Sequence, residues 1–168
     1  MNRNRFYIGL ILLGLMAVAV AAITVQSVRV QATASDGSGQ FRLNLQATRV
    51  YFDDIGTRVL GRGSFQLTRG AERYNLQLRH LTNMGVGELE NGGYSVMMEG
   101  YASFAPNFFL SRISRPEGGI FRLVIFDMPE GSEESDSVQF RFVSDRGRRI
   151  DFFGEITGGS LTISEQTL

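Results

Sequence analysis

Phe41-Arg42-Leu43-Asn44-Leu45-Gln46 (residues 41–46) carries an apolar side chain at every second position. Successive side chains of a β-strand point to opposite faces of a sheet, so this alternation buries one face and leaves the other in water. The same period of two recurs in residues 64–68, 74–79, 138–143 and 160–164. These segments predict a domain built from β-strands.

Two further segments are more apolar than the alternating ones. Residues 121–126 (FRLVIF) contain a single charged side chain, and residues 95–104 carry apolar side chains on both faces. Strands of this kind are typical of sheets that are covered on both sides. We therefore expect these two strands to be central ones.

Turn-forming residues separate the predicted strands. They are Asp53-Asp54, Arg69-Gly70, Asn91-Gly92-Gly93, Gly118-Gly119, Pro129-Glu130-Gly131, Asp145-Arg146-Gly147 and Gly158-Gly159. No stretch after Val30 sustains a helical period over three turns. The predicted fold class is all-β, either an antiparallel sandwich or a small barrel of about eight or nine strands.

The N-terminus has a different character from the rest of the chain. Arg3 and Arg5 are followed by residues 6–25, which contain no charged side chain. A positively charged start before an apolar run is typical of a membrane-targeting segment. Arginines ahead of the run favour a cytoplasmic N-terminus and an extracytoplasmic remainder. We predict that the protein is exported, and is either secreted or anchored to the membrane by its N-terminus.

These features divide the chain into three parts. They are a hydrophobic targeting helix at residues 1–34, acting as a signal peptide or signal anchor, a linker at residues 35–40, and a single β-domain at residues 41–165. Small-residue cleavage patterns occur at Ala19-Val20-Ala21 and at Ala32-Thr33-Ala34. Residues 6–25 are also long enough to span a bilayer, so an uncleaved anchor is the alternative, and contact with a membrane is expected only there.

The composition excludes several classes of function. All 17 basic residues are arginines, and the chain contains no cysteine, so disulfides and thiolate metal sites are excluded. Three arginines precede Ala34 and all 17 acidic residues follow it, which leaves the remainder with a net charge of −3. A mildly acidic domain without a basic run is a poor candidate for binding nucleic acid.

Few side chains in the sequence support catalysis. Without cysteine or lysine, thiol nucleophiles, Schiff bases and Ser-Lys dyads are excluded. His80 is the single histidine, and alternation places it on the face of Tyr74, Leu76 and Leu78, at the edge of the core. No GxSxG, HExxH or phosphate-binding glycine loop occurs. We expect no enzymatic activity and assign no catalytic residue.

Several segments, taken in order, carry a resemblance to a known family. They are Gly100-Tyr101-Ala102, Phe121 to Asp127 (FRLVIFD), the acidic turn ending at Asp136, Val138-Gln139-Phe140, and Gly158 to Ile163 (GGSLTI). The chain resembles the post-COAP type of small bacterial β-domain, best from Ser95 to Ile163. Such domains are found at the C-termini of large secreted and surface proteins, or alone behind a signal peptide. The resemblance implies a non-catalytic β-module at the cell surface.

The acidic turn has the composition of a possible ion site. Its carboxylates are Asp127, Glu130, Glu133, Glu134 and Asp136. Hard oxygen ligands on a loop suit Ca²⁺, although the spacing is not that of an EF-hand. The alternative is a solvated hairpin loop in which Asp127 and Asp136 accept hydrogen bonds from backbone N–H groups. Calcium is the only cofactor considered, and no firm metal site is predicted.

Residues 105–119 form a longer connection than the resemblance implies. This connection contains Phe108, Phe109, Leu110 and Ile113. If these side chains are exposed, they form an apolar patch for a partner such as an envelope protein. If they are buried, they belong to an extra strand or to a loop that packs on the sheet.

The predicted function is that of an envelope or cell-surface β-domain that acts as a non-catalytic structural or interaction module. One alternative is a carbohydrate-binding module, for which Tyr51, Tyr94 and Tyr101 supply aromatic rings, although tryptophan is absent. A second alternative is a barrel that encloses an apolar ligand. The 13 phenylalanines suit such a lining and an ordinary packed core equally well.

Overall fold

Eight strands dominate the part of the chain that this computed structural model describes, residues 23–52, 56–105 and 116–167. They are β1 (Ile23–Ser35), β2 (Gly39–Phe52), β3 (Gly56–Arg69), β4 (Glu72–Glu88), β5 (Tyr94–Phe104), β6 (Gly118–Asp127), β7 (Ser137–Ser144) and β8 (Arg149–Thr167). Each strand pairs antiparallel with its neighbours along the chain, and β8 pairs with β1 to close a barrel. The all-β prediction is confirmed, and the barrel is the architecture that forms.

The period of two decides which side chains fill this barrel. In β2, Phe41, Leu43 and Leu45 face the interior and are at most 3% exposed. Arg42 and Asn44 between them lie on the outer surface and are exposed. The alternation read from residues 41–46 is therefore the division between core and solvent.

Phenylalanine rings fill one end of the barrel. Phe41 contacts Phe140 and Phe152 at ring-centroid distances of 5.0 and 5.1 Å. Phe65 contacts Phe121 and Phe140 at 5.0 and 4.9 Å. Each fully buried ring stabilises the fold by about 1.5–3 kcal/mol. Because these rings fill the interior at this end, space for a ligand lies toward the other end.

Aliphatic side chains form the middle of the core. They include Val28, Val30, Leu45, Met84, Met98, Leu123, Ile125 and Val138. Beyond this layer β1 and β8 continue to Ile23 and Thr167, and their inward positions become polar at Gln26 and Glu165, which face each other in the register. The barrel therefore has a filled apolar end and an end with polar inward side chains.

β1 begins within the segment that was predicted to be the targeting segment. Residues 23–34, expected to belong to the targeting segment, form most of β1, and residues 35–40, expected to be a linker, form the β1–β2 hairpin. Small apolar side chains alternate with polar ones along β1, so its inner face is buried. The buried side chains are Val28, Val30, Ala32 and Ala34. The rest of the predicted targeting helix falls on residues 1–22, outside the described residues.

Two glycine pairs predicted as turns lie inside strands instead. Gly118-Gly119 begins β6, and Gly158-Gly159 lies within β8 next to a register shift against β1. A β-bulge of this kind bends a strand without ending it. The predicted turns at Arg69-Gly70, Asn91-Gly92-Gly93, Pro129-Glu130-Gly131 and Asp145-Arg146-Gly147 are confirmed as connections between strands. Asp53-Asp54 lies outside the described residues.

The expectations for β6 and His80 are wrong for two reasons of geometry. A barrel covers only the inner face of a strand, so Ile120 on the outer face of β6 is 69% exposed. The register of β4 against β5 shifts between Leu78 and His80. This bulge moves His80 to the outer surface, where its ring stacks on Tyr101 at a centroid distance of 5.8 Å.

Candidate binding site

An open cavity of about 530 Å³ lies at the end of the barrel opposite the phenylalanine rings. We call it the mouth cavity. Its lining residues are Gln26, Val86, Glu88, Tyr94, Asp127, Leu161, Ile163 and Glu165. A volume of this size lies within the usual range for sites that hold small molecules.

Strand register brings the lining residues together from two walls of the barrel. On one wall, Gln26 of β1 pairs with Glu165 of β8. On the other wall, Tyr94 of β5 pairs with Glu88 of β4 and with Asp127 of β6. The two walls are far apart in sequence, and only closure of the barrel sets them around one space.

The lining of the mouth cavity divides by polarity. Val86, Leu161 and Ile163 are half-buried and pack against the aliphatic core. Glu88 and Glu165 are exposed. The cavity therefore offers an apolar surface toward the core and carboxylates that remain in contact with water.

Two hydrogen-bonding groups restrain side chains around this end of the barrel. Gln26 Nε2 donates to Glu165 Oε2 at 3.1 Å. Arg49, which pairs with Gln26 in the register, donates from Nη1 to the Met84 carbonyl at 2.9 Å. The Arg49 guanidinium also lies 4.2 Å from the centre of the Tyr51 ring. The Arg49 guanidinium thus contacts both a carbonyl and an aromatic ring. Its Nε atom is buried without a hydrogen-bond partner among the described residues.

A smaller cavity of about 190 Å³ adjoins the mouth cavity and shares Asp127 and Leu161 with it. Ile125, Ile156 and Asp136 also line this smaller space. Asp127 therefore stands between two cavities, with apolar side chains beneath it. Its side chain is half-buried.

The electrostatics of this region centre on Asp127. Burial raises the pKa of its carboxyl above the usual value, and the negative charge of Asp136 raises it further. The Asp136 carboxylate accepts a hydrogen bond from the Met128 backbone N–H at 2.7 Å. Of the two aspartates expected to accept loop hydrogen bonds, Asp136 does so, whereas Asp127 instead faces the cavities.

The structure separates the five carboxylates of the acidic turn. Asp127 and Asp136 lie at its base, while Glu130, Glu133 and Glu134 are exposed along the loop. Within residues 23–52, 56–105 and 116–167, no group of three or more histidines, cysteines or acidic residues is arranged to hold a metal ion. The turn connects β6 to β7 as a hairpin loop.

The three tyrosines considered for carbohydrate binding do not form one aromatic platform. Tyr94 lines the mouth cavity, and Tyr51 lies on β2 beneath Arg49. Tyr101 lies seven residues from Tyr94, on the opposite face of β5 and roughly 23 Å along the strand. The hydroxyl of Tyr101 donates to Asp145, and this hydrogen bond raises the pKa of the tyrosine.

Other candidate residues lie away from the mouth cavity or outside the described residues. His80 is on the outer surface beside Tyr101, so it does not face the cavity carboxylates. Phe108, Phe109, Leu110 and Ile113 fall on residues 106–115, which are outside the described residues. Neither the apolar partner patch nor an extra strand is therefore placed.

Sequence reasoning missed most of the mouth cavity. It singled out Asp127 and Tyr94 for other kinds of site, and it did not identify Gln26, Leu161 or Glu165. One signal was present in the sequence. The inward-facing positions of β8 are Leu161, Ile163 and then Glu165, so the buried face of this strand ends in a charged side chain. A polar residue at an inward-facing position of a strand indicates where the core ends.

Comparison of the chain with protein-family models and with curated proteins found no match. Among the residues that the structure describes, no helix has the length and apolar character needed to cross a membrane.

Proposed function

We propose that this protein is an exported, non-catalytic binding module that holds a cationic amphiphile in the mouth cavity. The observation that carries this proposal is the divided lining, with Val86, Leu161 and Ile163 on the core side and three carboxylates around them. The proposal develops the alternative of a barrel with an apolar ligand by adding a charged group to that ligand.

The apolar part of the ligand would lie on the half-buried aliphatic side chains. Removing such surface from water is favourable by roughly 25 cal/mol per Å². The phenylalanine-filled end has no comparable role, because its rings already contact one another. An alkyl chain in the mouth cavity extends the aliphatic core toward solvent.

The charged part of the ligand would lie among Glu88, Asp127 and Glu165. An ammonium group is attracted to carboxylates, and this attraction is strongest where water is partly excluded. Tyr94 adds an aromatic ring, which also attracts quaternary ammonium groups. Burial and the negative charge of Asp136 raise the pKa of Asp127, and a bound cation would favour its ionised form.

Export and the absence of catalysis are supported by separate observations. Arg3 and Arg5 precede the uncharged residues 6–25, as in targeting segments. His80, the single histidine, stacks on Tyr101 at the outer surface rather than beside the cavity carboxylates. A general acid–base pair of histidine and carboxylate in the cavity is therefore not part of the proposal.

The test compares three probes with the same eight-carbon chain. Each probe is used at a concentration at which it is dissolved as single molecules. We expect octyltrimethylammonium to raise the melting temperature of the purified protein in a dose-dependent way, because ligands of the native state stabilise it by mass action. Octanol should raise it less, and octanoate should not raise it. Calorimetric titration supplies the dissociation constants.

A matched pair of double variants locates the site. Glu88→Gln with Glu165→Gln should weaken octyltrimethylammonium binding by about tenfold, which corresponds to about 1.4 kcal/mol. Glu130→Gln with Glu134→Gln removes the same charge from the exposed acidic turn and should leave binding unchanged. Equal binding of octanoate, or equal losses in both double variants, would contradict the proposal.

A further inference from the structure

The outward side chains of the first four strands form a second candidate binding surface, and its composition differs from that of the mouth cavity. We call it the arginine–amide face, defined as the outward side chains of residues 29–35 of β1, 40–46 of β2, 62–68 of β3 and 73–77 of β4. The register aligns these positions in rows across the strands, for example Thr33, Arg42, Gln66 and Asn75. Every side chain on this face is an arginine, a carboxamide or a hydroxyl.

Four arginines give this face its positive charge. They are Arg29, Arg42, Arg62 and Arg73, and all are exposed. Among the described residues none of them forms an ion pair, whereas Arg69, Arg122, Arg141, Arg148 and Arg149 each contact a carboxylate. The Asp36 carboxylate of the β1–β2 hairpin is bonded to Arg69 at 2.6 Å, and Glu155 of β8 lies beside Ser35 at the edge of the face. Every charged side chain within the face is therefore positive.

Part of this face is concave. A depression of about 690 Å³ lies over the β1–β2 hairpin and the neighbouring parts of β2, β3 and β4. Its lining includes Arg42 and Arg73, with Gln40, Gln66 and Asn75 between and beside them. No acidic or aromatic side chain lines it. Two guanidinium groups and several amides thus converge on one open groove.

We propose that the arginine–amide face binds an acidic polysaccharide whose carboxylates engage the arginines. A guanidinium presents paired N–H donors that match a carboxylate in a bidentate geometry. The carboxamides both donate and accept hydrogen bonds, which suits the hydroxyl groups of sugar rings. Charge complementarity therefore selects the uronic acids of the polymer, and the amides recognise the sugar rings.

The composition of the face favours a polysaccharide over nucleic acid. Proteins that bind single-stranded nucleic acid combine positive charge with aromatic rings on which the bases stack. The arginine–amide face has no aromatic side chain at any of its positions. A neutral polysaccharide is also disfavoured, because such a ligand leaves the unpaired guanidinium groups without a counter-charge.

The spacing of the arginines suits a linear polymer. Arg29 and Arg62 lie in one row with Gln46 between them, roughly 10 Å apart across the strands. Arg42 lies four residues before Gln46 on β2, roughly 13 Å along the strand. A chain that bears a carboxylate on each sugar can meet several of these cations at once.

Affinity electrophoresis of the purified protein in gels that contain polygalacturonate provides the test. We expect this polymer to retard the protein at low ionic strength, and we expect fully methyl-esterified polygalacturonate to have no effect. An oligo(dT) strand of equal charge should bind at least about tenfold more weakly. Equal binding of oligo(dT), or no retardation by polygalacturonate, would overturn the proposal.

Two double variants that each remove two positive charges distinguish a specific binding surface from an effect of net charge. Arg42→Gln with Arg73→Gln should weaken polygalacturonate binding about tenfold or more, a change of about 1.4 kcal/mol. Arg122→Gln with Arg141→Gln removes two arginines from the opposite side of the barrel and should bind like the unchanged protein. Equal losses in both variants would reduce the effect to net charge and overturn the proposal.

Chemical protection gives a readout that does not depend on folding of the variants. Phenylglyoxal modifies exposed arginines, and peptide mass spectrometry identifies the modified positions. Polygalacturonate should protect Arg42 and Arg73 and leave Arg122 and Arg141 reactive. Protection of all four to the same degree would contradict a site on this face, whatever the outcome for octyltrimethylammonium in the mouth cavity.

Discussion

Asp36 organises the hairpin between β1 and β2. Its Oδ1 atom accepts hydrogen bonds from the Ser38 N–H at 2.8 Å and the Gly39 N–H at 2.7 Å, and its Oδ2 atom accepts one from Arg69 at 2.6 Å. Burial by itself raises the pKa of this carboxyl, but the hydrogen bonds from Ser38, Arg69 and Gly39 outweigh burial and hold the pKa at about 2. The charged form is therefore part of the folded hairpin.

Replacing Asp36 by Asn should lower the free energy of unfolding at pH 7 by about 1–2 kcal/mol, after allowance for screening by solvent. The folded pKa of about 2 lies below the usual 3.8, so the ionised Asp36 stabilises the fold above pH 4. This stabilisation is lost as the pH falls toward 2. Urea unfolding at pH 7 and at pH 2.5 measures the difference. A gap between Asp36→Asn and the unchanged protein that is as large at pH 2.5 as at pH 7 would contradict the assignment.

Asp127 should behave in the opposite way. Its folded pKa is raised, first by burial and then by Asp136, so the ionised carboxylate destabilises the fold at neutral pH. This penalty disappears as the pH falls through the folded pKa and then below the usual value. Asp127→Asn should therefore raise the melting temperature at pH 7 by about 2 °C and converge with the unchanged protein in acid.

The control for this prediction is Glu130→Gln, which removes one charge from the exposed acidic turn. Its melting temperature should stay within about 1 °C of the unchanged protein at both pH values. A loss of stability in Asp127→Asn at pH 7 would mean that Asp127 accepts a hydrogen bond, as the sequence analysis expected.

At the scale of elements, β8 depends on Gly159 to stay paired with β1. Gly159 has a φ of +133°, and a side chain there would drive its Cβ into the Gln31 carbonyl oxygen. That oxygen belongs to the backbone of β1, so it cannot move aside cheaply. β8 therefore continues through the Gly158-Gly159 pair that was predicted as a turn, and the register shift lies just before this pair, at Thr157.

Gly159→Ala should therefore destabilise the protein by about 1–3 kcal/mol, the usual cost of a strained backbone conformation. Gly158→Ala is the matched control, because no atom lies within 4 Å of the Cβ that it would add. Chemical unfolding of both variants measures the difference. Equal losses in the two variants would show that the cost comes from chain entropy rather than from the contact with Gln31.

At the scale of the whole molecule, closure of the barrel depends on β1. This strand pairs with β2 along one edge and with β8 along the other. Without it, the edges of β2 and β8 would expose unpaired backbone groups, and such edges promote aggregation. The choice between the two predicted cleavage patterns therefore bears on the fold.

If the targeting segment is removed, we expect cleavage after Ala21 and not after Ala34. Cleavage after Ala21 leaves all eight strands in the product, whereas cleavage after Ala34 removes β1 except for Ser35. Mass spectrometry of the N-terminus in the native host identifies the site. A chain of residues 22–168 should melt cooperatively, and one of residues 35–168 should aggregate. A mature N-terminus at Ser35 with a cooperative melt would refute this expectation.

The distribution of charge is another property of the whole molecule. The arginines of the arginine–amide face are separated in sequence by residues of other types, so no basic run marks them. Pairing of β1 to β4 brings them onto one surface, while Glu88, Asp127 and Glu165 meet in the mouth cavity. Although the net charge of the chain is near zero, the arginine–amide face carries positive side chains and the mouth cavity carries negative ones.

The sequence alone determined the fold class and the inward or outward direction of most side chains. This is because a strand has a side-chain period of two, and segments such as residues 41–46 express that period without any distant partner. It also determined most turns, since Arg69-Gly70 and Asp145-Arg146-Gly147 act through local backbone preferences. β1 escaped notice because its small apolar residues adjoin the uncharged N-terminal run.

Only the tertiary structure decided that the sheet closes, that His80 faces outward, and which residues surround the mouth cavity. Each of these depends on register between segments that are distant in sequence, such as Gln26 with Glu165. Closure is a property of all eight pairings together, and a bulge such as the one at Leu78 and His80 reverses the direction of the side chains that follow it. Local periodicity contains no information about either, which is why both candidate sites emerged only from the folded barrel.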